Sequence, residues 1–130
     1  MPAIPWRSYG NASPDGEYVA LVSYLPLKSH WRIPAFVRYS MQIAKQLKSA
    51  PGLLGYSLLA RPFSKRFWTL SVWESDAALR EFVVKAPHAR AMAAFATHMG
   101  PTKFVRWAVK GAELPLQWED ALRRMETSLR

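Results

Sequence analysis

The sequence has no cysteine, which excludes disulfide scaffolds, thiolate metal centres, iron–sulfur clusters and cysteine nucleophiles. No apolar run approaches the ~18 residues a membrane helix needs, and the opening MPAIPWRSYGNASPDG lacks the apolar stretch of a signal peptide; a cytoplasmic protein is expected. A glycine-rich phosphate loop is missing. The three histidines, His30, His88 and His98, show no ligand spacing and no accompanying carboxylate pair, so no metal site is expected. No Ser/His/Asp triad can be assigned, which argues against a hydrolase. Acidic residues are scarce: nine Asp+Glu face 18 Lys+Arg, for a net charge of +9. The bases are scattered, with Lys65-Arg66 and Arg123-Arg124 the longest basic runs, so they read as a cationic surface rather than a phosphate-gripping arm.

What remains is a chain of 130 residues, half of them hydrophobic and 13% aromatic, enough for one packed domain. Residues 1–16, with Pro2, Pro5, Gly10, Pro14 and Gly16, read as an irregular arm, although Trp6 and Tyr9 suggest that it lies on something. Residues 17–111 read as the domain proper and 112–130 as a helical tail. The stretch from Glu17 is a strand that Pro26 ends. A helix spans approximately Arg32 to Ser49, with Ile33, Phe36, Val37, Ile43, Ala44 and Leu47 on one arc; Pro51-Gly52 stops it. Strands Leu53 to Arg61 and Arg66 to Trp73 follow as a hairpin. Ser75 caps a helix that buries Leu79, Phe82, Val83 and Ala86. Pro87 interrupts that helix, which resumes from His88 to about Met99. A strand from Lys103 to Val109 precedes a tail in which Trp118, Ala121, Leu122, Met125 and Leu129 recur at helical spacing.

The order is β-α-β-β-α-β plus a C-terminal helix: an α+β, ferredoxin-like antiparallel sheet. Its strands are apolar on both sides. Tyr18, Ala20, Val22 and Tyr24 oppose Val19, Leu21 and Leu25; Trp68, Leu70 and Val72 oppose Phe67 and Trp73. Leu54, Tyr56, Leu58 and Ala60 likewise oppose Leu53 and Leu59. Two helices cover one face of such a sheet, so the other is expected to be buried against a second subunit in a homodimer. The alternative is that the arm and the C-terminal helix fold over it.

The residues from Val19 to Met99, and FWTLSVWESDAALREFVVKAPHARAM above all, resemble the dimeric α+β barrel domains related to antibiotic-biosynthesis monooxygenases. APGLLG before the second strand and Trp-Glu-Asp-Ala in the tail look closest to an uncharacterised bacterial branch of monooxygenase-like proteins. The resemblance implies a dimeric barrel and a small-molecule site. It does not extend to the haem-degrading members. Where they carry a helical Trp, a His ten residues later and an Asn on the first strand, this sequence has Phe82, Met92 and no such Asn.

Candidate site residues follow from chemistry. His88 is the expected catalytic base, or an axial ligand if the cofactor is haem rather than none; His88, Met92, Phe95 and Met99 lie on one helical stripe. Trp73, Tyr24, Met92 and Trp68 would wall a pocket for a planar apolar molecule. Ser23, the lone hydroxyl in an apolar strand, could orient a ligand oxygen, and Arg106 (like Arg61) could hold a carboxylate or oxyanion. The expected function is monooxygenase-like binding of a small apolar or aromatic molecule, as a cofactor-free oxygenase or haem-binding protein. Two alternatives stand beside it. One is a non-catalytic structural dimer. The other is a nucleic-acid-binding domain, because RNA-recognition domains share this strand order; against it, Arg66-Phe67-Trp68-Thr69-Leu70 lacks the glycine of the RNA motif.

Overall fold

A computed structural model describes residues 3–85 and 88–127, with side chains from Pro5 onward. Five strands form one antiparallel sheet in the order β1-β3-β4-β2-β5: β1 (Ala3–Ser8), β2 (Glu17–Pro26), β3 (Leu53–Arg61), β4 (Arg66–Trp73) and β5 (Lys103–Lys110). Four α-helices accompany them: α1 (Ile33–Lys48), α2 (Asp76–Val84), α3 (His88–Phe95) and α4 (Trp118–Thr127). From Glu17 onward the ferredoxin-like α+β order read from the sequence is the order observed. The expected break at Pro87, the burial of Ala86 and the continuation of the tail's helical spacing to Leu129 lie outside the described residues.

Three helices share one face of the sheet. There Val19 and Leu21 of β2, Tyr56 and Leu58 of β3, and Trp73 of β4 pack with Ile43 and Leu47 of α1 and with Leu79 and Phe82 of α2. Towards the other end of the same face Phe67 meets Phe36 of α1, at 4.5 Å between rings, and Phe95 of α3. Filled by interlocking rings, this core follows from the alternation of the strands and the 3.6-residue period of the helices. Ser75 Oγ accepts from Ala78 N at 3.1 Å, and so caps α2 as its sequence position implies. At the other end of the α1–β3 connection Gly52 has φ +84°, and a Cβ there would approach that of Ala78 to 2.6 Å; the turn needs glycine both for its backbone and for its closeness to α2.

The opposite face is where the structure departs furthest from the reading of the strands. Ala20, Val22, Leu70, Val72 and Val109 on this side pack under Leu114, Leu116, Trp118, Ala121 and Met125 of the chain's own tail, joined by Trp6 from β1. The apolar face therefore finds cover within the chain. The covering that implied a second subunit is done by α4, whose apolar residues recur every three or four positions.

Three local departures have physical causes. The arm expected to be irregular contains β1, because the outer edge of β3 offers an unpaired ladder; Pro5 is tolerated since it sits where the register slips between Ile4 and Arg7. In β3 the alternation breaks at a bulge between Leu53 and Gly55, so Leu54 joins the tail-side cluster rather than sharing a side with Tyr56. And α3 ends at Phe95, before Met99, which forms an isolated bridge with Leu27. On α1, Val37 lies outside the buried arc.

Candidate functional site

The residues singled out from the sequence divide between the two faces. Trp73, His88, Ser23 and Arg106 are on the helix side; Tyr24 and Trp68 are on the tail side, their rings 5.4 Å apart, with the Arg61 guanidinium 5.4 Å from the Trp68 centroid. Met92, one turn beyond His88 on α3, is 51% exposed and so is no wall of an enclosed pocket. Ser23 is buried in β2 between Thr69 and Phe104. Arg106 is exposed on β5, where its guanidinium pairs with Asp76 at 2.9 Å.

Trp73 and His88 are linked through Phe82, which lies 5.1 Å from each ring. Trp73 is 1% exposed and its indole N–H donates to Ser71 Oγ at 2.9 Å, so it is a core residue with its polar atom satisfied. His88 sits at the break between α2 and α3. Its Nδ1 lies 3.2 Å from the Val83 carbonyl; since a carbonyl only accepts, the proton is on Nδ1. Burial pushes the imidazole below its ordinary pKa of 6.5, and the Val83 bond partly opposes that shift. Gln46 of α1 completes the joint: its Nε2 donates to the Phe82 carbonyl at 3.2 Å and its Oε1 accepts from His88 N at 3.0 Å. One amide side chain thereby ties the two helix ends together, accepting from the first N–H of α3 and adding a second donor to the Phe82 carbonyl, which also accepts from Lys85 N at 3.2 Å. Sequence reading missed Gln46, because nothing local marks a polar residue on α1 as the partner of a helix break forty residues on.

These residues do not fit haem. The expected stripe of His88, Met92, Phe95 and Met99 is broken up: Met92 faces outward, Phe95 is locked edge-on between Phe36 and Tyr39, and Met99 lies beyond the helix. Phe82 already packs against the His88 ring, the two planes tilted by 53°.

A cleft of about 330 Å³ opens on the tail side instead, lined by Pro5, Trp6, Ser57, Pro115, Leu116, Gln117, Trp118 and Glu119. Two indoles define it. Trp6 lies over Gly55, where any Cβ would run into its ring, and donates to Ser8 Oγ at 3.1 Å. Trp118 donates to Ser57 Oγ at 2.8 Å across the cleft floor. With both N–H groups engaged, what the indoles offer a ligand is their flat apolar faces, with Gln117 and Glu119 as polar groups beside them. The one signal that pointed here was the glycine inside an apolar strand, which marks a bulge or a close approach by another chain segment. Deeper under α4, Trp107 Nε1 is buried without a partner among the described residues, and the Arg124 guanidinium stands 4.7 Å over its ring.

Sheet order and helix placement define the fold of the antibiotic biosynthesis monooxygenase-like proteins. A protein of Nitrosomonas europaea classed with those monooxygenases superposes with a TM-score of 0.61 at 18% identity, over 68% of this chain and 95% of its own. SnoaB, a cofactor-independent oxygenase from Streptomyces nogalater, superposes with a TM-score of 0.59 at 17% identity, over 77% of this chain and 99% of its own. A conserved protein from Methanosarcina mazei gives 0.61 at 9% identity, over 69% and 90%. The chain itself belongs to the family described as Domain of unknown function (DUF3291), whose model matches residues 31–130. No curated protein matches the sequence.

Proposed function

We propose that the protein binds a small planar apolar or aromatic molecule between Trp6 and Trp118, on a fold that its relatives use for monooxygenase-like chemistry. The observation that carries this reading is the cleft itself: two indoles with their N–H groups already engaged and a volume of about 330 Å³. Ligand pockets run from about 300 Å³ upward, so a one- or two-ring molecule suits the space. Cofactor-free oxygenation needs a base at the ligand, and His88 belongs to the other side of the sheet; the one carboxylate among the cleft's lining residues, Glu119, is exposed and stands 3.8 Å from the Arg123 guanidinium. Binding is therefore the function the geometry supports best.

The test is titration with a two-ring phenol such as 2-naphthol, followed by calorimetry or tryptophan quenching. Trp118→Ala is expected to raise Kd at least about tenfold, which is ~1.4 kcal/mol of lost stacking. Equal affinity in the variant, or no binding by the parent protein, would remove the cleft from consideration.

A further inference from the structure

The acidic residues are unevenly placed as well as few. From Tyr18 to Trp73 there is no Asp or Glu, whereas Lys28, Arg32, Arg38, Lys45, Lys48, Arg61, Lys65 and Arg66 all fall in that stretch. Folding concentrates several of these bases at one end of the sheet. Pro26 pairs with Arg66 there, Leu27 N donates to the Lys65 carbonyl at 2.8 Å, and Lys65 Nζ donates to the Lys28 carbonyl at 3.3 Å. The segment between β2 and α1 is thereby laced to the β3–β4 turn, and His30 Nε2 adds a bond of 2.9 Å to the Phe63 carbonyl.

On this laced pair of loops stand the two most exposed aromatic side chains described: Trp31, 90% exposed, and Phe63, 96% exposed. Around them Lys28, Arg32, Lys65 and Arg66 make no ion pair among the described residues; every ion pair described joins other cations to acids elsewhere. The apolar character continues along the outer side of α1 through Pro34, Val37 and Met41, which with Arg38, Gln42 and Lys45 line a shallow groove of about 320 Å³.

We infer that this end of the molecule docks on an anionic lipid surface, with Trp31 and Phe63 entering the headgroup layer and the surrounding cations facing lipid phosphates. Apolar tips ringed by Lys and Arg are what interfacial attachment requires, one supplying burial and the other electrostatic attraction. A second copy of the chain fits poorly, because a twofold contact would press like charges together. A nucleic acid would stack on the rings but has no use for Val37 and Met41, which carry no π-face. No helix among the described residues is long and apolar enough to cross a membrane, so the contact is peripheral.

The inference is independent of the cleft and is tested separately, by co-sedimentation of the full chain with vesicles. Phosphatidylcholine vesicles containing phosphatidylglycerol should bind it at low salt, and pure phosphatidylcholine vesicles should not. High salt should weaken the binding, since screening shortens the reach of the cations. The double variant Trp31→Ser, Phe63→Ser should lose about tenfold in vesicle affinity while keeping its circular dichroism and its 2-naphthol binding, as both side chains are already in water. Undiminished binding by that variant, or none by the parent protein to anionic vesicles, overturns the inference. So does self-association, or oligonucleotide binding, that the same double variant abolishes.

Discussion

The two faces of the sheet are built from similar strand residues but are closed differently. On the helix side three helices press Leu47, Leu79, Phe82, Phe36 and Phe95 into the sheet, and aromatic rings meet at 4.5–5.5 Å. On the tail side one ten-residue helix and the segment before it do the same work. That cover leaves a cleft at its leading end and, among the described residues, an indole N–H without a partner beneath it. Dense packing suits a scaffold, while imperfect closure suits a place where another molecule enters. The residue with the most promising chemistry in the sequence, His88, went to the dense side.

The sharpest way to break this comparison is to push the cover off. Ala121 of α4 is 1% exposed against Val22 and Leu70. Ala121→Glu puts a charge where it has no partner, so either the charge stays buried or α4 leaves the sheet; we expect a loss of about 3 kcal/mol or more. Detachment would bare Val22, Leu70, Val105 and Trp107 as one apolar surface, and self-association should follow. Sedimentation velocity and urea denaturation together check this. A variant that remains both stable and monomeric would show that α4 does not seal the face.

That experiment also addresses what could be read from the sequence. The alternation of Tyr18 to Leu25 and of Phe67 to Trp73 correctly told of a sheet apolar on both sides, and the spacing of Trp118, Ala121 and Met125 correctly told of an amphipathic helix. Periodicity says that an apolar face needs cover; it does not say whose. Besides the neighbouring β5, the tail helix covers Val22 of β2 and Leu70 of β4, some fifty to a hundred residues away in the chain, and nothing in those segments names the other. For the same reason Gln46 stayed invisible, and so did the pairing of Trp6 with Gly55. Tyr24, Trp68, Trp73 and His88 were chosen for the chemistry of their side chains, which is indifferent to the side of a sheet on which they fall.

A smaller effect is expected at His88. Its native pKa is depressed by burial, so the unfolded chain takes up the proton first as pH falls below about 6.5. Stability from this group is thus intact above that pH and is lost as pH drops towards the native pKa. Urea denaturation at a series of pH values should show this slope in the parent protein and a flatter one in His88→Gln. At neutral pH the variant should cost only about 1 kcal/mol, the worth of the bond to the Val83 carbonyl. An unchanged slope would mean that the imidazole is wetter than its contacts with Phe82 and Val83 imply.

The smallest expected effect is at Trp107, and Trp118 on the same side is its contrast. Trp107→Phe removes an N–H that is buried and, among the described residues, unpaired, relieving a desolvation cost of about 1–3 kcal/mol while giving up part of a buried ring. The two nearly cancel, so stability should change by less than about 1 kcal/mol. Trp118→Phe removes a similar amount of ring with no such relief and also breaks a bond of 2.8 Å to Ser57, so it should cost ~2 kcal/mol or more beyond its counterpart. Chemical denaturation of the two variants side by side measures the difference directly. Were Trp107→Phe the more damaging, its N–H must have an acceptor in solution, such as a water held beneath α4, and the tail side would be closed more tightly than its geometry indicates.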